Sequence, residues 1–239
     1  MSSSSSPFIR FSKILSFIFI FTVLLIPVIY DRNSTQELFN GSELESTLHP
    51  RNKISQLTVS DPITISGNSD FDSKAITYGW PGDGSSNNPY VIENLQIINS
   101  TASTYGISIS SISTKYFIVC NNYIEMTGTG SSGIYLSSTS NVGTIENNTL
   151  YNNTQYGLYL SSSDGNNVTS NIVKNNHEVG ISLSGSDSNI IEYNTIVENT
   201  EITGGMQLQN TNYNQINHNN ISYNYYGISH NSFNEYNTY

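Results

Sequence analysis

The sequence of 239 residues is poor in cysteine and in basic residues. Its single cysteine, Cys120, excludes an internal disulfide and a zinc site built from several cysteines. From Asp61 onward, only Lys74, Lys115 and Lys174 are basic, against 14 acidic residues. Nucleic-acid binding requires clustered Lys and Arg. We therefore expect no nucleic-acid partner, and we interpret Cys120 as a packed strand residue.

Charge of either sign is also scarce, at 11% of the chain, whereas disordered chains and coiled coils are usually highly charged. The chain has instead 33 Asn, 39 Ser, 17 Gly and 17 Tyr. Asn, Ser and Gly favour turns, and Tyr favours strands. The composition therefore predicts a β-rich fold with many turns.

The N-terminus has the features of a targeting segment. Residues 14–30 are apolar at all but three positions, follow Arg10 and Lys13, and precede no small residues of the kind found at a cleavage site. As a helix they span ~26 Å, slightly less than the ~30 Å hydrocarbon core of a bilayer. We expect residues 1–30 to form an uncleaved signal anchor that crosses the membrane through residues 11–30, with a cleaved signal peptide as the alternative. The positive-inside rule then places the rest of the chain on the extracytoplasmic side, at the cell surface.

Residues 31–60 are rich in Ser, Thr, Asn and Glu and are interpreted as a polar juxtamembrane linker. The exported part contains Asn-x-Ser/Thr sequences, which accept N-linked glycans and fit a glycosylated surface protein. A chain this rich in Asn, Ser and Thr also produces such sequences by chance. The candidate glycosylation sites are Asn33, Asn40, Asn99, Asn147, Asn152, Asn167 and Asn220.

An internal repeat of 22–27 residues begins near residue 100. Aliphatic residues or Met follow each of the first five repeat glycines at positions +1 and +3, as Ile107 and Ile109 do in the first unit. The sixth unit keeps Ile228 but has His230 at +3. Alternation of this kind is typical of a strand with one buried face. The glycines that begin the units are Gly106, Gly133, Gly157, Gly180, Gly205 and Gly227.

An asparagine recurs in a second register of the same repeat, with an aliphatic residue three positions before it and another two positions after it. These asparagines are Asn122, Asn148, Asn171, Asn194 and Asn219. Five positions later come Thr127, Asn153, Asn176, Asn199 and Asn224. Each unit therefore contains about three short strands separated by turns.

A β repeat this short has few structural solutions, since a propeller blade needs about 40 residues and a leucine-rich repeat has a fixed leucine pattern. We predict an all-β fold, a right-handed single-stranded parallel β-helix (solenoid) of about six to seven coils, preceded by one N-terminal hydrophobic helix. The domain covers residues 61–239, with an N-terminal cap region at 61–100 and repeats at 101–239. Asn tolerates left-handed backbone at sharp bends, and its amide can bond the Asn one coil away. The five register asparagines are therefore predicted to form a structural ladder.

These repeats resemble the parallel β-helix repeats of the pectin-lyase-like superfamily, in particular the group shared by the periplasmic copper-binding NosD proteins and the CASH (carbohydrate-binding and sugar hydrolase) domains. The resemblance covers residues 61–239. The segment from Ile63 through Gly79-Trp80-Pro81-Gly82 to Ile92 is similar to the N-terminal region of such domains, where a Gly-rich turn leads into the first strands. The superfamily includes lyases, hydrolases, isomerases, adhesins and accessory proteins, so the resemblance implies the fold and does not choose the function.

The residues do not favour catalysis. Pectate-lyase chemistry, as the resemblance implies it, uses a basic residue and an acidic calcium site, but the repeats contain no Arg, and Lys115 and Lys174 lie about two coils apart. Glycoside hydrolysis needs carboxylates that face one cleft, and the polygalacturonase-type motifs implied by the resemblance are missing. Glu146 and Glu192 share a repeat position, but an uncharged residue lies between them and Asn217 follows in the next unit. We predict no catalytic residue and no cofactor.

Metal binding also lacks support in the sequence. A copper site would require clustered His, Met or Cys, whereas His177, His218 and His230 are dispersed along the repeats. We therefore predict no metal site. The inward position of His230 is interpreted as a distorted terminal coil.

Two tyrosines are the candidate substrate-binding residues. Tyr135 and Tyr159 both lie at position +2 after a repeat glycine, which points outward, and they belong to neighbouring units. Their rings are expected to lie about one strand spacing apart. Exposed aromatic rings beside amides and hydroxyls suit a carbohydrate ring. Surface tyrosines that stiffen the strand are the alternative.

The C-terminal end has no amphipathic capping helix, and the chain stops at Tyr239, about 13 residues into a coil. The last coil of a solenoid exposes strand edges and apolar core. We expect either that the chain is a truncated product or that a capping partner or further chain covers this end.

The sequence favours an exported, membrane-anchored β-helix that acts as a non-catalytic surface scaffold or glycan-recognition module, with surface carbohydrate as partner. One alternative is a carbohydrate-active enzyme of the same fold, a polysaccharide hydrolase or lyase, which a groove with clustered carboxylates would favour. The other is a NosD-like accessory protein for an exported metalloenzyme, which a histidine cluster would favour.

Overall fold

The computed structural model describes residues 57–101, 103–200, 204–230 and 234–239, all within one compact unit, Lys53–Tyr239. The predicted hydrophobic helix and most of the predicted linker lie outside the described residues. Within the described ranges, no helix is long and apolar enough to cross a membrane.

The described residues form twenty strands and one α-helix. In chain order, the elements are β1 (Thr58–Val59), β2 (Ile63–Ser66), α1 (Asn68–Tyr78), β3 (Tyr90–Glu93), β4 (Leu95–Asn99), β5 (Tyr105–Ser110), β6 (Phe117–Cys120), β7 (Tyr123–Met126), β8 (Ser132–Ser137), β9 (Gly143–Glu146), β10 (Thr149–Tyr151), β11 (Leu158–Ser161), β12 (Asn167–Thr169), β13 (Ile172–Lys174), β14 (Ile181–Ser184), β15 (Ile190–Glu192), β16 (Thr195–Val197), β17 (Met206–Gln209), β18 (Gln215–Asn217), β19 (Asn220–Ser222) and β20 (Ile228–His230).

The strands assemble into three parallel sheets, because each strand pairs with the strand three places along the chain. Sheet A contains β1, β4, β7, β10, β13, β16 and β19, and sheet B contains β2, β5, β8, β11, β14, β17 and β20. Sheet C contains β3, β6, β9, β12, β15 and β18. The chain visits sheets B, C and A in turn and then returns to B, which confirms the predicted parallel solenoid.

Five turns of the solenoid are regular, from β5 to β19, whereas six to seven coils were expected. The first turn, β2 to β4, is interrupted by α1, and β20 alone represents the next turn after β19.

The core consists of aliphatic side chains that stack in register between turns. In sheet B, Leu158 pairs with Ile134 in the turn before it and with Ile181 in the turn after it. All three side chains are fully buried. The alternation of buried and half-buried residues in β11 and in the last four residues of β8 therefore reflects strands with one face on the core.

The repeat glycines allow close approach between turns. A Cβ atom added at Gly157 would lie 2.7 Å from the carbonyl oxygen of Gly180 and 2.8 Å from Nδ2 of Asn176. Any larger residue at Gly157 would push the neighbouring turn away, which explains why glycine recurs at this position.

Helix α1 was not identified in the sequence. Its two buried side chains, Phe71 and Ala75, lie one helical turn apart, and Gly79 ends the helix in the left-handed conformation with φ of 68°. Phe71 stacks on Tyr90 with ring centroids 5.0 Å apart and also contacts Phe117. The helix therefore covers the start of the apolar core.

The chain bends between sheets at corners that we name by the sheets they join. At each corner, a residue with left-handed backbone precedes an inward-turned asparagine: Ser170 (φ 58°) at the C–A corner, Asn175 (φ 56°) at the A–B corner and Ser188 (φ 58°) at the B–C corner. Short polar residues adopt this conformation at low cost. In the later turns, larger residues take equivalent positions, at Tyr193, Glu198, Tyr213, His218, Tyr223 and Tyr236.

Candidate functional site

The five asparagines of the predicted ladder lie in one row at the C–A corner. Asn148 is typical, since its Nδ2 donates to Oδ1 of Asn171 at 3.0 Å and to the Val119 carbonyl oxygen at 2.8 Å. Its Oδ1 accepts from the backbone N–H and from Nδ2 of Asn122, both at 3.0 Å. Equivalent amide-to-amide bonds continue from Asn171 through Asn194 to Asn219.

Two further rows of asparagines run parallel to this one, at the other corners. The A–B row contains Asn153, Asn176, Asn199 and Asn224, with amide-to-amide distances of 2.8–3.0 Å. The B–C row contains Asn166, Asn189, Asn214 and Asn237. Its spacings of 23, 25 and 23 residues carry the same signal as the predicted ladder, but this row was missed in the sequence. Among the described residues, no buried side-chain nitrogen or oxygen is left without a partner, so these amides are occupied in holding the turns together.

The candidate binding residues Tyr135 and Tyr159 lie next to each other on the outer face of sheet B. They pair in register between β8 and β11, and their ring centroids are 5.3 Å apart. The structure adds two rings that the sequence analysis did not select. Tyr105 stacks on Tyr135 at 4.3 Å, and Tyr156 contacts Tyr159 at 4.9 Å. We call these four half-buried residues the tyrosine row.

Stacking within the tyrosine row determines which part of each ring meets solvent. The centroids of neighbouring rings are only 4.3 and 5.3 Å apart, and two rings lying flat on the sheet at these distances would overlap. The rings must therefore stand on the sheet and face each other. Their interplanar angles of 23° and 27° agree with this arrangement. The faces of Tyr135 are therefore covered by its neighbours, so the edge of its ring is the part that meets solvent.

Two phenol groups of the row, those of Tyr105 and Tyr156, have a raised pKa. Burial is the main cause that raises the pKa of Tyr156, to about 12, and the Glu178 carboxylate contributes. Burial also raises the pKa of Tyr105. Beside the row, Ser182 and Gln207 take the positions equivalent to Tyr159 in the next turns, and Ser182 Oγ lies 3.5 Å from Gln207 Oε1. Ser182 is buried, so beside the row it is the half-buried amide of Gln207 that can donate and accept hydrogen bonds at the surface.

The few lysines of the described region are all engaged. Lys74 bonds Asp70, and Lys115 bonds Asp72, each at 2.7 Å. Lys174 places its Nζ 5.5 Å from the centroid of the Tyr151 ring. Lys115 thus belongs to the contact between α1 and the first turns.

Outward carboxylates recur on sheet C but are separated by other residues. Glu93, Cys120 and Glu146 are in register, and Thr169 then lies between Glu146 and Glu192. Cys120 is buried, and this burial raises the pKa of its thiol to about 11. The thiol therefore stays protonated and unreactive at neutral pH.

The candidate glycosylation sites differ in accessibility. Asn147, Asn167 and Asn220 are exposed, and Asn99 is half-buried. Asn33 and Asn40 lie outside the described residues. Asn152 donates its Nδ2 to Glu125 at 2.9 Å and has His177 3.1 Å from its Oδ1. A glycan on Nδ2 of Asn152 would have to replace the bond to Glu125.

The sequence of this solenoid matches a known protein family. The family model described as periplasmic copper-binding protein (NosD) matches residues 50–239. The chain belongs to the NosD family. The match includes all of the solenoid that the structure describes, so the parallel sheets and stacked corners are those of a NosD family member. A comparison with curated proteins finds no match.

Solved structures similar to this NosD family member include three of the periplasmic alginate epimerase AlgG. Single-mutant and double-mutant forms are each 23% identical to it, with TM-scores of 0.44 over 52% and 53% of this chain and 29% and 30% of theirs. A third AlgG structure is 15% identical, with a TM-score of 0.38 over 62% of this chain and 41% of that chain. The matched part is thus less than half of the epimerase, and likenesses of this size do not bear on activity.

The NosD family description names copper, for which histidine, cysteine and methionine are suitable ligands. In the part of the chain that the structure describes, no three His, Cys, Asp or Glu side chains come close enough to hold a metal ion. The repeat histidines have separate surroundings, with His177 bonded to Asn152, His218 stacked on Tyr193 and His230 against Tyr239. The described residues of this NosD family member therefore do not fit a copper site.

Proposed function

We propose that this chain is a non-catalytic surface scaffold that recognises glycans through the tyrosine row on sheet B. The observation that carries the proposal is the continuous contact of four tyrosine rings, which spans three turns beside hydroxyl and amide side chains. Because the ring faces cover each other, the row binds through its hydroxyls and ring edges. A polysaccharide that lies along the solenoid can meet one such group every ~4.8 Å, the spacing of the turns.

The location in this proposal is the extracytoplasmic side of a membrane, with residues 11–30 as the anchor. Membership of a periplasmic family supports export, and the apolar run after Arg10 and Lys13 supports the anchor. N-linked glycans on exposed sites such as Asn167 belong to the same proposal. The solenoid is taken as right-handed, because connections between parallel strands of one sheet almost always have that hand.

The test is affinity electrophoresis of the full-length chain in gels that contain neutral or acidic polysaccharides. Tyr135→Phe keeps the ring and its stacking but removes the hydroxyl. A lost hydrogen bond is worth about 1 kcal/mol, so we expect binding to weaken about five-fold. Tyr78→Phe, an exposed tyrosine on α1, is the matched control and should bind as the parent does. Failure of the parent chain to bind any polysaccharide would refute the proposed function.

One observation favours a polysaccharide hydrolase as a second candidate. Glu146 and Glu192 face the same side of sheet C, two turns apart with Thr169 between them. Two turn spacings give roughly 10 Å, close to the ~6.5–9.5 Å that separates the carboxyl groups of inverting glycosidases. Release of reducing sugar by the parent chain, abolished in Glu146→Gln, would support this candidate over the non-catalytic one.

A further inference from the structure

The corners of the last turns carry aromatic residues in a backbone conformation that suits them poorly. Tyr213 and Tyr236 occupy successive positions of the B–C corner with φ of 58° and 56°. In the earlier turns this corner position is taken by Asn141, Gly165 and Ser188. Small or short polar residues accept left-handed backbone readily, whereas a bulky side chain raises its energy.

Burial does not compensate for this conformation. The Tyr213 side chain is 58% exposed and that of Tyr236 is 68% exposed. The two rings contact each other, with centroids 5.0 Å apart and an interplanar angle of 5°. Strained residues whose side chains remain in solvent are a recurrent feature of binding sites, where the benefit comes from a ligand.

The two tyrosines form the wall of a depression beside the outer face of sheet C. The depression has a volume of about 630 Å³ and is lined by Tyr213, Tyr236, Ser188, Gln215 and Thr238. Tyr213 stacks on the ring of the following turn, so its other face is directed towards the preceding turn, where the equivalent residue is only Ser188. This leaves one aromatic face open beside the amide of Gln215 and two hydroxyl groups.

A second aromatic pair lies at the opposite end of β18 and of β15, the strand one turn before it. Tyr193 directly follows β15, His218 directly follows β18, and their rings are stacked with centroids 5.0 Å apart. Between the two pairs, the outward side chains of these strands are Ile190, Glu192, Gln215 and Asn217. We call this part of sheet C, with its two aromatic ends, the aromatic trough.

The charges around the aromatic trough determine which ligands it accepts. Glu192 lies on its floor and Glu235 precedes Tyr236, whereas no lysine or arginine follows Lys174 in the sequence. Anionic sugars are therefore disfavoured. We propose that the aromatic trough is a separate binding site for a neutral saccharide, with the open face of Tyr213 against a sugar ring and Gln215 and Glu192 bonding its hydroxyls. The site is independent of the tyrosine row on sheet B.

The substitution Tyr213→Asn/Tyr236→Asn tests this proposal in the full-length chain. Asn occupies the same corner at Asn141, so the double variant should fold with an unchanged or higher melting temperature. In gels that contain a neutral mannan, β-glucan or galactan, the double variant should lose at least ten-fold of the binding that Tyr135→Phe leaves unchanged. Tyr223→Asn is the matched control, because Tyr223 also has left-handed backbone and is 87% exposed, but lies at the A–B corner.

Unchanged retention of the double variant would overturn the proposal, as would a parent chain that binds only alginate or polygalacturonate. If the double variant melts at a lower temperature, Gln215→Ala replaces it as the test, because this substitution leaves both corners intact. Lost retention of Gln215→Ala would support the site, and unchanged retention would refute it. Tyr135→Phe separates the two proposals, because it should weaken only the binding that depends on sheet B.

Discussion

Replacement of Asn171 by Leu tests whether the asparagine row at the C–A corner stabilises the solenoid. Asn171 is 1% exposed, and its Oδ1 accepts from the backbone N–H of Asn148 at 2.9 Å and from Nδ2 of Asn148 at 3.0 Å. Its Nδ2 donates to the carbonyl oxygens of Ile145 and Thr169 and to Oδ1 of Asn194. Leu has a similar size, so the substitution removes hydrogen bonds without leaving a large cavity.

The magnitude follows from the groups that lose their partner. Nδ2 of Asn148 keeps its bond to Val119, and Oδ1 of Asn194 keeps the bond from the backbone N–H of residue 171. The backbone N–H of Asn148 loses its acceptor, whereas the Ile145 carbonyl loses one donor but stays in the ladder between β9 and β12. One orphaned buried group costs about 1–3 kcal/mol, so we expect the free energy of unfolding to fall by about that amount.

The assay is urea unfolding followed by circular dichroism, with Asn167→Leu as the control. Asn167 lies in the same turn, in β12, but is exposed, and substitution at such a surface site usually changes stability by less than ~0.5 kcal/mol. Asn175 is unsuitable as a control, because Leu at its φ of 56° would add backbone strain of its own. Equal unfolding midpoints for Asn171→Leu and Asn167→Leu would refute the stabilising role of the row.

Three further predictions concern the core, the membrane segment and the first turn. Ile181→Asp should unfold the central turns, because a buried unpaired carboxylate costs several kcal/mol; a variant with the parent's circular dichroism and melting temperature would contradict the stacking register. A reporter fused after residues 1–60 should be found outside the cell and in the membrane fraction, whereas a soluble form cleaved near residue 30 would indicate a signal peptide. Hydrogen bonds from Lys115 and then Tyr90 lower the pKa of Asp72 below its usual 3.8, so their stabilising effect is present above pH 3.8 and is lost as the pH falls through the folded-state value. The melting temperature of the parent should therefore drop more below pH ~4 than that of Asp72→Asn; parallel pH profiles would count against this ion pair.

The parts of the fold that repeat were predictable because every turn presents the same pattern. An apolar pair equivalent to Ile134 and Leu136 recurs from turn to turn, and this periodicity alone identifies the inward positions. Helix α1 has no counterpart in the other turns. Its only apolar signal is the spacing of Phe71 and Ala75, too short to distinguish a helix from a loop.

The candidate surfaces were only partly predictable because they join different repeat positions. Tyr135 and Tyr159 share one position and were found together, whereas Tyr105 and Tyr156 each precede a repeat glycine. Tyr105 pairs in register with Ser132, but its ring stacks on Tyr135, three residues further along that strand. Sequence spacing does not predict such a contact. The stacking that turns the ring edges outward depends on side-chain rotation, which no repeat pattern specifies.

The pairing of each strand with its counterpart one turn later makes the length of this protein adjustable in whole units. Asn148, Asn171 and Asn194 are separated by equal intervals of 23 residues. Excision of residues 149–171 would place Ile172 directly after Asn148 in the chain. Asn194 would then follow Asn148 in the asparagine row, and every corner and sheet would stay in register. Gain or loss of one such module would lengthen or shorten all three outer faces by ~4.8 Å and leave both ends of the rod unchanged. A chain built on this repeat can thus change the length of its outer faces in whole modules, without redesign of any single contact.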